Sequence, residues 1–298
     1  MNTTNRIRGE FKKIYNDIAF IELRQNDNAF SFLDKNIVVP IYIPSIQKNK
    51  ENESISIKLS DVIFGIGLIS YDKNVESLKE FLERTLNSSK DVINQIEQKK
   101  DIDPIAHYVY LKGLYKAVKE IEIDEETGIE VLKLLSIHER FILENYEVDD
   151  ANEIINEYRE HLSNIYEKTK DGKYIYYLAK SYEAEGDALR ARLLYTKGLE
   201  ESNKTSNDWE EVKEALDIAY KAIFEKSEME RAAYLLSYNK YEEAIEIIDK
   251  LPESKERTKL KINALYNMGE NEQILNEINR YEQEHGVDNE LEAIKEII

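Results

Sequence analysis

Four histidines are the residues of this chain best suited to metal binding or proton transfer: His107, His138, His161 and His285. His138 and Glu139 begin like the zinc-protease pattern, but Ile142 stands where the second histidine of that pattern belongs. No two histidines have the spacing of zinc ligands on one helix, so we expect no metal site. His138 and His161 fall on apolar stripes, which predicts partly buried, hydrogen-bonded histidines in a core.

Two glycine-containing segments could bind phosphate or calcium. Gly65 and Gly67 lie within an apolar segment, but the third glycine of a dinucleotide fingerprint is absent, so this segment predicts a helix that another element approaches closely. The acidic segment 122–130 places Gly128 one position too late for a calcium-binding loop. Acidic residues in the first turn of a helix explain this segment better.

The sequence contains no further catalytic motif. Cysteine is absent, and no nucleophile elbow, phosphate loop or kinase motif is present. Carboxylates are so frequent that a chance pair of them does not indicate acid–base catalysis. We therefore identify no catalytic residue and no cofactor site, and we expect that the protein is not an enzyme.

The charge of the chain limits its partners. The formal net charge is −19, and the lysines are interleaved with glutamates rather than gathered in a basic block. We therefore expect no binding to nucleic acid or to anionic membranes, whereas a basic or mixed-charge partner is favoured. The N-terminus lacks the apolar region of a signal peptide, and the longest apolar run, 62–69, is too short to span a membrane. These features predict a cytoplasmic protein.

The N-terminal region, residues 1–100, is predicted to be helical with a short β-arm at about 37–59. Residues 5–25 show an apolar stripe that predicts a helix, formed by Ile7, Phe11, Ile14, Ile18 and Ile21. Residues 37–43 are β-branched or aromatic and contain Pro40, which predicts an edge strand. Residues 54–59 alternate and could pair back onto that strand.

From about residue 73 onward, the sequence predicts consecutive helices. Asp103 and Pro104 are typical of a helix start, and 150–153 resembles a capping box. Short turns between the later helices favour antiparallel neighbours. The predicted later helices are 173–185, 187–202, 208–224, 227–238, 241–250, 255–268, 271–284 and 289–298.

Small residues recur at regular positions in the segment 174–200. Ala179 and Ala191 stand twelve residues apart, with Gly186 at the turn between two predicted helices. Helices approach closely where small side chains face each other, and bulkier side chains fill the flanks. Leu178, Tyr182 and Tyr195 are placed to do so.

This arrangement resembles the tetratricopeptide repeat, a helix–turn–helix unit of about 34 residues. A second match has Ala232 and Ala244, again twelve apart, and a third keeps Gly269 at its turn but has isoleucines at both small positions. The spacing is irregular, because a helix over 208–224 would separate the first two matches. The resemblance covers roughly 172–284. It implies a mostly α-helical fold, an α-solenoid of antiparallel helix pairs over 101–298.

The resemblance also implies a concave face that binds peptides or other helices, so we expect a scaffold or adaptor whose partner is a protein or peptide. In that family, fixed positions of each first helix line this face. They correspond here to Lys173, Tyr176, Lys180 and Glu183 in the first repeat, and to Lys259, Asn263 and Tyr266 in the third. Lys259 and Asn263 resemble half of the family's carboxylate clamp.

Two questions stay open at this level. The 20 tyrosines have helical spacings that suit either helix seams or a binding face. The second function that the resemblance implies is a peptide-sensing regulator of the bacterial pheromone-receptor type, although residues 1–70 show no basic recognition helix.

Overall fold

The computed structural model of the chain describes residues 18–24, 31–42, 47–48, 55–68, 78–99, 103–145, 151–295 and 297. These residues form a mostly helical protein with two small, two-stranded antiparallel sheets in its N-terminal part. The chain divides into two compact units, Met1–Ile165 and Tyr166–Ile298. None of the described helices is long and apolar enough to cross a membrane.

The elements follow one another in chain order. The described strands are β1 (Ile18–Leu23), β2 (Ile37–Tyr42), β3 (Gln47–Lys48) and β4 (Ile55–Ser56). The described helices are α1 (Leu59–Leu68), α2 (Lys79–Thr85), α3 (Ser89–Lys99), α4 (Pro104–Ile121), α5 (Glu125–Asn145), α6 (Ala151–Thr169), α7 (Gly172–Glu185), α8 (Ala188–Glu201), α9 (Trp209–Ser237), α10 (Tyr241–Ile248), α11 (Lys255–Met268), α12 (Asn271–His285) and α13 (Asn289–Lys295).

Strand β1 corrects the helix predicted over 5–25. Its residues 18–23 pair antiparallel with β2, so that Ile18 lies opposite Tyr42 and Leu23 opposite Ile37. The prediction is wrong here because apolar residues three apart in so short a segment are compatible with either a helix or a strand. Pairing with β2 provides hydrogen-bond partners for the backbone of the strand. Ile7, Phe11 and Ile14 lie outside the described residues.

The predicted strand over 37–43 is confirmed as β2, but its partner differs from the prediction. The described residues of the segment 54–59, which are residues 55–59, do not pair with β2. Only Ile55–Ser56 is extended, as β4, and it pairs with β3 instead. Residue 59 already begins α1.

Helix α1 packs closely against its neighbours in the first unit, as its small residues predict. A methyl group at Gly65 would overlap the carbonyl of Pro40, and one at Gly67 would overlap the carbonyl of Val109. Gly113 on α4 is equally close to α1, since a methyl group there would overlap the carbonyl of Ile63. The close approach predicted for this segment is therefore confirmed.

Two helix starts predicted from sequence are also present. The carboxylate of Asp103 accepts hydrogen bonds from the backbone N–H groups of Ile105 and Ala106, at 2.9 and 3.3 Å. Asp124 accepts the backbone N–H of Thr127 at 2.7 Å, which identifies 122–130 as a helix start. Asp150, in the predicted capping box, lies outside the described residues.

The second unit places the predicted small residues in its core. Ala179 and Ala191 are both 0% exposed and share one cluster with Tyr195, Trp209 and Leu216. Ala232 and Ala244 are also buried and belong to a second cluster. The burial predicted for the two alanine pairs is therefore confirmed.

Helix α9 corrects the prediction of two helices over 208–224 and 227–238. It runs unbroken for 29 residues, which the absence of Gly and Pro from this segment permits. Its first half contributes Leu216 to the first cluster, and its second half contributes Ala232 to the second. One helix therefore supports both clusters. The other predicted helices from 173 onward begin within one residue of α7, α8 and α10 to α13.

Candidate functional site

The structure brings three of the four predicted residues on α7 into one polar contact chain. Lys180 Nζ lies 3.0 Å from Glu183 Oε2, and the hydroxyl of Tyr195 donates a hydrogen bond to the same oxygen at 2.6 Å. The ring of Tyr176 packs 6.1 Å from the ring of Tyr195, centroid to centroid. Lys173 is directed elsewhere, with its Nζ 3.5 Å from Asp171 Oδ2.

Tyr195 anchors this contact chain from the core. Its ring is fully buried in the cluster that contains Ala179 and Ala191. Burial raises the pKa of Tyr195 above its usual value, and the carboxylate of Glu183 raises it further. The hydroxyl therefore stays protonated at neutral pH and fixes Glu183, which in turn orients Lys180.

The predicted residues on α11 have a different environment. Lys259 Nζ contacts Glu290 Oε2 at 2.5 Å. Asn263 Oδ1 accepts a hydrogen bond from the side-chain amide of Asn267 at 2.8 Å, and Tyr266 is 64% exposed. Lys259 therefore pairs with a carboxylate of the chain itself, and the binding of a partner's carboxylate stays a prediction.

The tyrosines divide between core and surface. Four of those that the structure describes as buried in the helices are Tyr158, Tyr166, Tyr174 and Tyr195. Tyr234 and Tyr238 are exposed on α9, with ring centroids 4.8 Å apart. Tyrosines therefore lie both in the buried seams between helices and at the surface.

A buried polar cluster in the first unit was not found from the sequence. His161 Nδ1 lies 2.9 Å from Glu139 Oε1, and Lys112 Nζ lies 2.9 Å from Glu157 Oε1. Helix α4 provides the lysine, α5 provides Glu139, and α6 provides Glu157 and His161. The hydrogen-bonded core environment predicted for His161 is confirmed.

Lys116, one turn after Lys112 on α4, is also buried. Its pKa is lowered to about 8, mainly by burial and secondarily by the charge of Lys112, while the carboxylate of Glu157 partly opposes the shift. Two lysines four residues apart on an otherwise apolar helix were the available sequence signal for this cluster. Lys112 pairs with Glu157 and His161 pairs with Glu139, while Lys116 Nζ lies 3.5 Å from the carbonyl oxygen of Ile66 on α1. These contacts join helices of the first unit.

His138 departs from its prediction. Its Nδ1 is buried without a hydrogen-bond partner, and its ring packs against His107 with centroids 4.4 Å apart. Burial lowers the pKa of His138 to about 4, with a smaller contribution from His107. Burial lowers the pKa of His107 as well, so the contact between the two rings favours their neutral forms. Among the described residues, no group of three potential ligands could hold a metal ion.

Comparison with known proteins provides no relative. No family model, curated protein or solved structure matches the chain. The resemblance to the tetratricopeptide repeat therefore depends on the residues quoted above.

Proposed function

We propose that the protein is a non-catalytic scaffold or adaptor that binds a protein or peptide through tetratricopeptide-like helix pairs in its second unit. The exposed side of each helix pair binds the partner, while the buried side holds neighbouring pairs together. A basic or mixed-charge partner fits the acidic chain best, because acidic residues outnumber basic ones, 60 to 41.

One observation carries this proposal: the contact chain from Tyr195 through Glu183 to Lys180. A buried tyrosine holds a carboxylate and an amine in fixed positions at a partly exposed helix face. Binding sites require such preorganisation, because ordering long side chains at the moment of binding costs affinity. An ordinary surface ion pair would not be fixed from the core in this way.

The experiment is a crosslinking pull-down from the native host, followed by a direct affinity measurement between the purified chain and each recovered protein. The test variant is Lys180→Glu. The matched control is Lys204→Glu, which makes the same change of charge at an exposed residue between α8 and α9. We expect Lys180→Glu to weaken binding at least about tenfold and the control to leave it unchanged.

A partner that binds both variants equally would contradict the proposed site. Recovery of no partner whose affinity can be measured would contradict the scaffold function. A short free peptide as partner, with a change in the radius of gyration on binding, would instead indicate the peptide-sensing regulator.

A further inference from the structure

The last described helix, α13, is attached to α11 by charged contacts. Lys255 Nζ lies 2.7 Å from both Asp288 Oδ2 and Glu290 Oε2, and Lys259 Nζ lies 2.5 Å from Glu290 Oε2. Lys255 and Lys259 are one turn apart on α11, so they face the same way. Three ion pairs therefore join two lysines to two carboxylates just before and at the start of α13.

An apolar contact lies beside these ion pairs. Leu291 is fully buried, and Ile294, one turn later on α13, packs against the same cluster. The residues of α11 and α12 that form this cluster are Ile262, Leu265, Ile274 and Ile278. The receiving face thus combines a pair of lysines with an apolar cluster.

Asp288 has two roles in this attachment. Its Oδ1 accepts the backbone N–H of Glu290 at 2.9 Å, while its Oδ2 faces Lys255. Asp288 therefore caps α13 and, with its other oxygen, pairs with Lys255 on the receiving face. The recognised pattern is Asp-x-Glu-Leu-x-x-Ile in a helical segment, read from residues 288–294.

Helix α13 is a short occupant of this face. It has only seven residues, fewer than an isolated helix needs for stability in water. Exposed ion pairs contribute little each, and the preceding linker contains Gly286 and the exposed Val287. Its other attachments are the burial of Leu291 and the partly buried ion pair of Lys295 with Glu282 of α12, at 2.5 Å. A short helix with few buried apolar residues opens locally at low cost.

We propose that the face formed by Lys255, Lys259 and the apolar cluster is a docking site for acidic amphipathic helices of a partner protein, and that α13 is its resident occupant. The charges are complementary, since all the ion pairs described for the two lysines are made with Asp288 and Glu290. This inference rests on the proposed function and takes the mixed-charge form of its partner, which presents an acidic helix to this one site. A partner helix with the same pattern displaces α13.

The test uses the full chain and a fluorescent peptide with the sequence of residues 287–295. In the variant Asp288→Lys/Glu290→Lys the resident helix is repelled by the lysines of α11. We expect this variant to bind the peptide about tenfold more tightly than the unmodified chain, measured by fluorescence anisotropy. The matched control, Glu242→Lys/Glu246→Lys, reverses two exposed charges on α10 and keeps the unmodified affinity.

A charge exchange makes the test specific. The variant Lys255→Glu/Lys259→Glu should no longer bind the original peptide. It should instead bind a peptide that has lysines at the positions of residues 288 and 290. Circular dichroism checks that each variant keeps its helices. Equal binding of both peptides by this variant, or no binding by any variant, would overturn the inference.

The remaining outcomes are also distinct. A dimer in light scattering, formed when the charge-reversed chain is mixed with the unmodified chain, would make a second copy the occupant and overturn the partner-helix inference. If the peptide does not bind but the affinity of a host protein still depends on Lys180, only this inference is contradicted. If the peptide binds but no host protein depends on Lys180, the proposed α7 site fails and the α11 docking site stands.

Discussion

His161 Nδ1 lies 2.9 Å from Glu139 Oε1, and the two side chains are 3% and 0% exposed. The pair joins α5 and α6 across the interior of the first unit. Burial raises the pKa of Glu139, and the hydrogen bond from His161 opposes that shift. A pair of this kind is costly to break and much less costly to replace as a whole.

The first prediction follows from this asymmetry. We expect Glu139→Ala to lower the free energy of unfolding by about 3–5 kcal/mol, because His161 then lacks its buried partner. The double variant Glu139→Leu/His161→Leu should cost less than the single variant. Urea unfolding followed by circular dichroism measures both. Glu144→Ala, at an exposed residue of α5, is the control and should change stability by less than about 1 kcal/mol. Additive costs in the double variant would contradict the interpretation.

The second prediction concerns the close contact between α1 and β2. We expect Gly65→Ala to destabilise the chain by about 1–3 kcal/mol or more, because the added methyl group meets the rigid backbone of Pro40. Gly128→Ala is a matched control on α5, where the methyl group would meet only a Val118 side-chain carbon at 4.0 Å. That control should be neutral or stabilising by up to about 1 kcal/mol, since alanine favours helix. Equal unfolding midpoints for the two variants would argue against the packing.

The third prediction concerns the alanines of the second unit. Ala179→Leu and Ala191→Leu should each destabilise by about 1–3 kcal/mol, because neither site has space for a larger side chain. Ala184→Leu, at an exposed position of α7, should leave stability nearly unchanged. The fluorescence of Trp209, the single tryptophan, reports on this cluster during unfolding. A melting temperature unaffected by both core substitutions would contradict the predicted crossing.

The fourth prediction is a pH dependence. Because the pKa of His138 is lowered from 6.5 to about 4, the unfolded chain binds more protons than the folded chain between these values. The contribution of His138 to stability is therefore complete above pH 6.5 and declines as the pH falls towards 4. After allowance for solvent screening, we expect a loss of about 1–2 kcal/mol.

The measurement compares urea unfolding at pH 7 and pH 4.5. His138→Phe keeps an aromatic contact with His107 and should reduce the loss of stability on acidification. His285→Gln changes an exposed histidine, and this variant should lose as much stability on acidification as the unmodified chain. A His138→Phe chain with the same pH dependence as the unmodified chain would show that other groups cause it.

Much of the second unit could be predicted from local sequence. The starts of α7, α8 and α10 to α13 follow from capping residues, turn glycines and the apolar period, all of which act within a few residues. The buried alanine pairs are also local signals, since their spacing places them on facing sides of consecutive helices. The contact of Lys180 with Glu183 lies within one helix turn and follows from the same periodicity.

The polar partners of the candidate sites were less predictable. Lys259 meets Glu290, which is 31 residues away, and Lys112 meets Glu157, which is 45 residues away. Neither distance in sequence leaves a periodic signal. The carboxylate-binding role that the resemblance implies for Lys259 indicated its chemistry, whereas the origin of the carboxylate depended on where α13 packs.

The sequence by itself determined where most helices begin, which small residues are buried and that the chain is mostly helical, because those properties depend on interactions between near neighbours. Tertiary structure alone decided that residues 18–23 form a strand, that α9 continues through both clusters and that charged residues enter the core of the first unit. In each of these cases the free energy comes from contacts between segments far apart in sequence. A local pattern allows several states there, and only the packed neighbour selects one.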